Sequence, residues 1–302
     1  MVRKFLMLCA LAALLLAGLT AYYATTGPAV PAEAAPSFEL DAIRAQVSGT
    51  GPTAVLLEEV GTGQMREFIL FAGGGLHEHP IAMHAVELRW DDRAVLIDPG
   101  TDLACSRLFS PGLVVHADAF ARMEEALGRA DAIVATHEHY DHICALSTYE
   151  DLEGILPAVM LTEAQLRSRV PATGFWGEGG ALLRERATPL SYTGSHELAP
   201  GVILIEAPGH TPGSQWVYVQ KADGQELLLV GDTAWSGRYI REGIYKSWLM
   251  ASVIGEDATR QVQHIRFLSD LQRTHPELTI LVAHDREQWD EAVASGLVRR
   301  GF

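Results

Sequence analysis

The sequence predicts an α+β fold in which sheets are covered by helices, and three observations predict it. Short β-branched runs alternate with amphipathic stretches, hairpin signals and strand–helix–strand units occur in the same chain, and no internal repeat or low-complexity tract interrupts them. A simple doubly wound sheet would lack the hairpins.

The chain of 302 residues opens with Arg3 and Lys4, then an uncharged apolar stretch over 5–19, then a Thr/Gly/Pro/Ala segment ending in PAEAAP. That is the layout of an export signal, and Leu19-Thr20-Ala21 and Ala32-Glu33-Ala34 both suit cleavage. About 19 apolar residues with Tyr22 and Tyr23 at one end also suit an uncleaved anchor across roughly 30 Å of hydrocarbon. Either way the body is expected outside the cytoplasm, periplasmic or secreted, with a membrane tether if the anchor is retained. Cys9 lies inside the apolar run rather than after it, which argues against a lipid-attachment cysteine. Residues 1–35 are therefore read as a leader or anchor with its linker, and 36–302 as one large domain with a substantial core.

Within that body, 54–59 and 67–72 flank Gly61-Thr62-Gly63 and read as a hairpin, and 84–90 with 93–97 read as another that ends at Asp98-Pro99-Gly100. Phe120, Met123, Leu127 and Ala130 fall at helical spacing after Asp118, a candidate cap. Strands are expected over 132–136, 158–162, 202–207, 216–220 and 226–230. Val262, Ile265, Leu268 and Leu271 line one face of a long helix, and a strand over 278–283 follows.

A net charge of −15 without a Lys/Arg cluster excludes a nucleic-acid surface. With Cys9 in the leader, only Cys105 and Cys144 remain, too few for a disulfide-built fold. Two separate buried thiols are the expected state, one bridge the alternative in an oxidising compartment.

The segment THEHYDH, 136–142, begins where a buried strand ends. Histidine and aspartate make poor core but are the usual ligands of divalent zinc. His137 and His139 can face one point from an extended turn, and Asp141 and His142 a second point a few ångströms away. Three more such residues follow strand ends: His210 in PGHTPGS, Asp232 in GDTAW and His284 in HDREQW. Strand ends of packed sheets converge on a common rim, so the seven are expected to form one metal site. His77 and His79 in GLHEHP share the H-x-H spacing but stand alone and read as a surface turn.

On HEHYDH, PGHTPGS, GDTAW and VAHD, in that order, the chain from about Ser37 onward resembles the metallo-β-lactamase-fold hydrolases. The resemblance implies a four-layer αββα sandwich with its metals at one edge of the two sheets. It implies His137, His139 and His210 as ligands of a first zinc ion, Asp141, His142 and His284 of a second, and Asp232 as a bridge. Asp232 sets the chain apart from the β-lactamases of this fold, and His139 from its di-iron flavoproteins. The motifs are closest to acyl homoserine lactonases, through HDREQW, and to glyoxalase II-like thioesterases. Trp235 departs from the tyrosine common in the former, and Ile143-Cys144-Ala145 from the glycines of the latter.

The implied activity is hydrolysis of a lactone, ester or related acyl bond in a small molecule with a carbonyl group. The attacking group would be a hydroxide held between two zinc ions, with Asp232 and Asp141 as the catalytic carboxylates. A thioesterase is the nearest alternative; a β-lactamase, a mononuclear iron dioxygenase and a non-catalytic metal-binding protein are more distant ones. Ser214 and Cys144 read as turn and packing residues, not nucleophiles. Phe175-Trp176 and the aromatic stretch 235–248, with Trp235, Tyr239 and Tyr245, are candidate pocket walls, or else packing onto the core. Arg238 and Arg241 are expected in solvent. Asp98 is expected to order its turn, with a hydrogen bond to a ligand histidine as a further role.

Overall fold

The computed structural model describes residues 2–33, 37–109, 112–170, 172–175 and 177–302. Among the described residues eleven strands run in chain order: β1 Ala54–Arg66, β2 Glu78–Arg89, β3 Ala94–Ile97, β4 Val114–Val115, β5 Ala132–Val134, β6 Ser195–Ala199, β7 Val202–Glu206, β8 Gln215–Gln220, β9 Glu226–Leu229, β10 Leu278–Leu281 and β11 Arg299–Arg300. One sheet has the order β11-β1-β2-β3-β5, with β4 on β1, and the other the order β10-β9-β8-β7-β6. The pairs β3/β5 and β9/β10 are parallel, the product of helical crossovers, while β2/β3 and β7/β8 are antiparallel hairpins.

The period-2 alternation of these strands sorts their side chains into layers. Val86, Leu88, Val95, Ile97 and Val134 of the first sheet meet Val202, Leu204, Val217, Val219, Leu227 and Leu229 of the second in one dry interlayer. The alternate residues face outward onto helices. Ile203, Ile205, Trp216, Tyr218 and Leu228 pack against Val262, Ile265 and Leu268 of the helix Ala258–Thr274. Leu96 and Ile133 pack against Met123 and Leu127 of the helix Ala117–Arg129 and Ile143 and Leu146 of the helix Tyr140–Thr148. Strands buried on both faces thus give four layers, αββα, and each fully buried Val, Leu or Ile contributes about 1.5–3 kcal/mol.

Some local expectations fail. Residues 54–66 form one strand through Gly61-Thr62-Gly63, bulged beside Gly61, because the run pairs with β2 along its whole length. Residues 67–70 are a short helix rather than the second arm of a hairpin. Residues 158–162 make only isolated bridges at Val159 and Thr162. Asp118 does not cap its helix, which starts from His116 without a side-chain cap.

Cys105 and Cys144 form a disulfide, not two separate thiols. The helix Leu103–Phe109 packs beside the helix Tyr140–Thr148 and brings the fully buried cysteines together across 39 residues of sequence. At the N-terminus, Val2–Thr25 is a single helix with Leu11, Leu14, Leu15, Leu16 and Leu19 all exposed. Among the described residues no helix is long and apolar enough to cross a membrane, this first helix being described with its side chains only from Cys9 onward. Its end is docked on the body: the Trp248 N–H donates to the Thr26 carbonyl at 2.9 Å, and Val30 packs on the core. Ala34 of the second cleavage motif, Ala35 at the end of the linker and Pro36 at the start of the body lie outside the described residues.

Candidate metal centre

The chain leaves β5, β7, β9 and β10 at the same edge of the sandwich and delivers Thr136–His142, His210, Asp232 and His284 there. Two backbone features allow the loops of opposite sheets to meet. Gly231 has φ +52°, and a Cβ on it would lie 2.7 Å from Thr136, so glycine alone fits that approach. Asp98, after β3, also has positive φ, +51°, a conformation that costs a non-glycine residue about 1–3 kcal/mol. Its carboxylate offsets that cost by accepting from the Thr136 N–H at 2.6 Å, the Thr136 hydroxyl at 2.7 Å and His142 Nδ1 at 2.8 Å.

Seven side chains singled out in the sequence lie in two overlapping groups, each able to hold a metal ion: His137, His139, His210 and Asp232; and Asp141, His142, Asp232 and His284. In the first, His137 Nε2 is 3.0 Å from His139 Nδ1, which is 2.9 Å from His210 Nε2. Nitrogens bound to one tetrahedral zinc at 2.0–2.1 Å would stand roughly 3.3 Å apart, so the spacing matches the face of such a tetrahedron. Asp232 Oδ2 is 3.4 Å from His210 Nε2 and 3.8 Å from His137 Nε2. Its other oxygen, Oδ1, is 3.1 Å from His284 Nε2 and 3.3 Å from His142 Nε2, and Asp141 Oδ2 is 3.4 Å from His284 Nε2. His142 Nε2 and Asp232 Oδ1 are buried with no aligned hydrogen-bond partner, which suits atoms that a cation would satisfy.

The far nitrogens are held from outside. His142 Nδ1 meets Asp98, His210 Nδ1 meets Glu256 Oε1 at 2.6 Å, and His284 Nδ1 meets the Ala82 carbonyl at 2.9 Å. Such contacts fix ring orientation and leave the inner nitrogen to the metal. The Asp98 contact matches the further role expected of it. Glu256 and its partner Lys246 were not legible in the sequence, where neither sits in a motif.

Burial disfavours the charged forms of His137, His139, His142 and His284, and the two groups answer it differently. In the first group burial wins: His139, further depressed by His210, titrates at about 3, and His137, further depressed by His142, is held well below the ordinary histidine range. In the second, carboxylates outweigh burial. Asp232 and Asp141 lift His284 to about 10, and Asp98, Asp232 and Asp141 raise His142 well above its usual range. Asp232 itself, though buried, is held well below the carboxylate range by His284, His142 and His137.

A cavity of about 300 Å³ opens on this centre, walled by Met65, Leu70, Ile81, Met83, Trp235, Val253 and Ile254. Trp235 is thus a wall, and its indole N–H also donates to Asp232 Oδ2 at 2.7 Å. Tyr239 and Tyr245 are instead buried in the core. Phe175 packs in the helical layer under the Arg184 guanidinium, and Trp176 lies outside the described residues. Arg238 pairs with Glu242 and covers the Phe71 ring. His77 is exposed, and His79 stands edge-on to Phe71; neither joins a metal-type group among the described residues. Ser214 closes its turn by bonding the Thr211 N–H. A third grouping, Asp102 with Cys105 and Cys144, is closed by the disulfide.

The model of the Metallo-beta-lactamase superfamily matches residues 84–296. No curated protein matches the chain in sequence. Among solved structures, the fold is similar to an N-acyl homoserine lactone hydrolase with the product N-hexanoyl-L-homoserine at its catalytic metal centre, with a TM-score of 0.60, 14% identity and coverage of 80% of this chain and 97% of that one. It is similar to a mutant AiiA of B. thuringiensis with N-decanoyl-L-homoserine at its active site, with a TM-score of 0.61, 15% identity and coverage of 80% and 97%. It is also similar to a probable metal-dependent hydrolase of Staphylococcus aureus, with a TM-score of 0.59, 14% identity and coverage of 79% and 91%. The family match covers the whole second sheet, β3 to β5 of the first and all seven converging side chains, and the chain belongs to the metallo-beta-lactamase superfamily.

Proposed function

We propose that the chain is an exported dinuclear zinc hydrolase that opens lactones carrying an apolar acyl arm. The observation that carries the reading is Asp232: its two oxygens face two different sets of nitrogens, the arrangement one carboxylate needs to serve two cations. His137, His139 and His210 would hold one ion, and Asp141, His142 and His284 the other. Two bound zinc ions would supply Lewis acidity and a water acidic enough to attack a carbonyl at neutral pH. Asp141 lines the cavity and can accept the proton that the attacking water gives up. Met83, Trp235, Val253 and Ile254 exclude water and bind the acyl arm. No protein nucleophile is required, and Cys144 is committed to its disulfide.

Lactones are favoured by the apolar walls, by the HDREQW tail, and by neighbours of the same fold whose names record N-acyl homoserine products. A nucleotide or glutathione conjugate would bring its charges to a protein of net charge −15. Export is supported by the leader and by a disulfide suited to an oxidising compartment. Since Thr26 and Val30 pack on the body, we place cleavage after Ala21, not after Ala34.

Metal analysis of the loaded protein, with turnover of lactones, thioesters, β-lactams and phosphodiesters, tests the reading. Two zinc ions and hydrolysis of a medium-chain lactone are expected. A single ion at saturation would sink the dinuclear assignment. Inert lactones with rapid turnover of a glutathione thioester would replace the lactonase with a thioesterase. N-terminal sequencing of the exported protein checks the cleavage point.

A further inference from the structure

Behind the three-histidine group lies a buried set of charges that hydrolysis does not use. Lys246 is fully buried, and its ammonium meets Glu256 Oε1, the same oxygen that accepts from His210 Nδ1. The Tyr245 hydroxyl donates to Glu256 Oε2. Lys246 Nζ also stands 3.8 Å from the centroid of the Trp235 ring, whose N–H donates to Asp232. With His210 Nε2 3.4 Å from Asp232 Oδ2, these contacts close a ring: His210, Glu256, Lys246, Trp235, Asp232 and back to His210. The closing edge faces the metal site, and Lys246 sits on the opposite side.

Local structure brings the ion pair together. Ser247 caps the helix Trp248–Ile254 by accepting from the Met250 N–H, and Gly255, at φ +85°, ends it. Lys246 and Glu256 leave opposite ends of that short helix and meet beneath it. Asp257 N–H then donates to the Gly209 carbonyl at 2.9 Å, tying the segment to the turn that carries His210. The same helix supplies Val253 and Ile254 to the cavity wall.

We propose that Lys246 is a positioning residue for the three-histidine half of the centre. It acts through Glu256 on the His210 ring and through the Trp235 ring on Asp232. A buried carboxylate without a counterion is costly, so the ammonium is what keeps Glu256 in place as an anionic acceptor. That acceptor holds the proton on Nδ1 and turns the Nε2 lone pair inward. The cation over the indole face holds Trp235 where its N–H reaches Asp232.

The inference rests on the metal-centre reading, and one titration separates the two. Chelator-stripped full-length protein is titrated with Zn²⁺ against a competing chelator, resolving two dissociation constants. The constant lost in His139→Ala is that of the three-histidine half. Lys246→Met should weaken that constant about 10–100-fold and leave the other within about 2-fold. In Lys246→Met/Glu256→Gln the amide oxygen can still accept from His210 without needing a counterion, and the constant should recover to within about 5-fold of native. A Co²⁺-loaded sample should show the matching shift and recovery in its visible bands. Native affinity in Lys246→Met, or equal weakening of both constants in single and double variants, overturns the proposal. If Lys246→Met does not fold, the double variant alone decides, a folded protein with near-native binding supporting the proposal and a failure to fold overturning it. Native protein that takes up no metal would instead sink the metal-centre reading itself.

Discussion

The two halves of the centre hold the same kind of side chain under opposite electrostatics. His137 and His139 are kept neutral by burial, whereas His142 and His284 are kept protonated, in the metal-free chain, by Asp98, Asp141 and Asp232. In the first half His137 and His139 therefore present preformed lone pairs. The second is a set of ion pairs in which protons stand where a cation would, so that loading it must expel them. Convergent histidines alone thus say little about how a site fills, and the neighbouring carboxylates decide it.

The comparison is broken most severely at the one residue the halves share. Asp232→Asn should keep the fold and lose activity by about 10³-fold, the loss of roughly 4 kcal/mol of stabilisation. Turnover near the native rate at full metal content would mean that the halves do not act through Asp232. A smaller effect sharpens the contrast. Asp98→Asn should weaken metal binding in the acid-rich half about 10–100-fold and leave the three-histidine half within about 2-fold, as read by competition with a chelator. Equal weakening of both halves would place Asp98 in the general fold rather than behind His142.

Acidity tests the same contrast without mutation. In the metal-free chain the His284 pKa rises from 6.5 to about 10. A raised folded pKa contributes stability that is fully present below about pH 6.5 and is lost as pH climbs through about 10. The melting temperature of the metal-free protein should accordingly fall across that window, while the loaded protein stays flatter. Calorimetric zinc titrations at pH 8 in buffers of different ionisation enthalpy should show more protons released by the acid-rich half than by the other. Equal release from both would erase the distinction. The smallest effect is expected at the cavity wall, outside both halves. Val253, 61% exposed at the mouth, should on change to Ala raise KM for a medium-chain lactone about 2–5-fold with kcat nearly unchanged. A fall in kcat alone would remove Val253 from the binding wall. Trp235 is a poorer probe of the wall, since its N–H also grips Asp232.

Much of this architecture was legible from local pattern. Apolar runs along β7 to β10 marked buried strands, and His137, His139, Asp141 and His142 occupy one short segment. His210, Asp232 and His284 were found because each follows an apolar run, and strand ends share a rim whatever the strand order. Where pattern failed, pairing across the sequence was the cause. Residues 54–66 stay one strand because β2 accompanies them throughout, and the 158–162 run is left with bridges for want of a neighbour.

The sequence by itself determined the residue types of the centre and the strand ends that carry them, because hydrophobic period and ligand chemistry are local properties. Only the tertiary structure decided that Cys105 reaches Cys144, that Lys246 and Glu256 close behind His210, and that one pair of histidines is neutral and the other charged. Each of these depends on which groups share a buried, low-dielectric space, where a carboxylate a few ångströms away outweighs any preference encoded in the neighbouring residues of the chain.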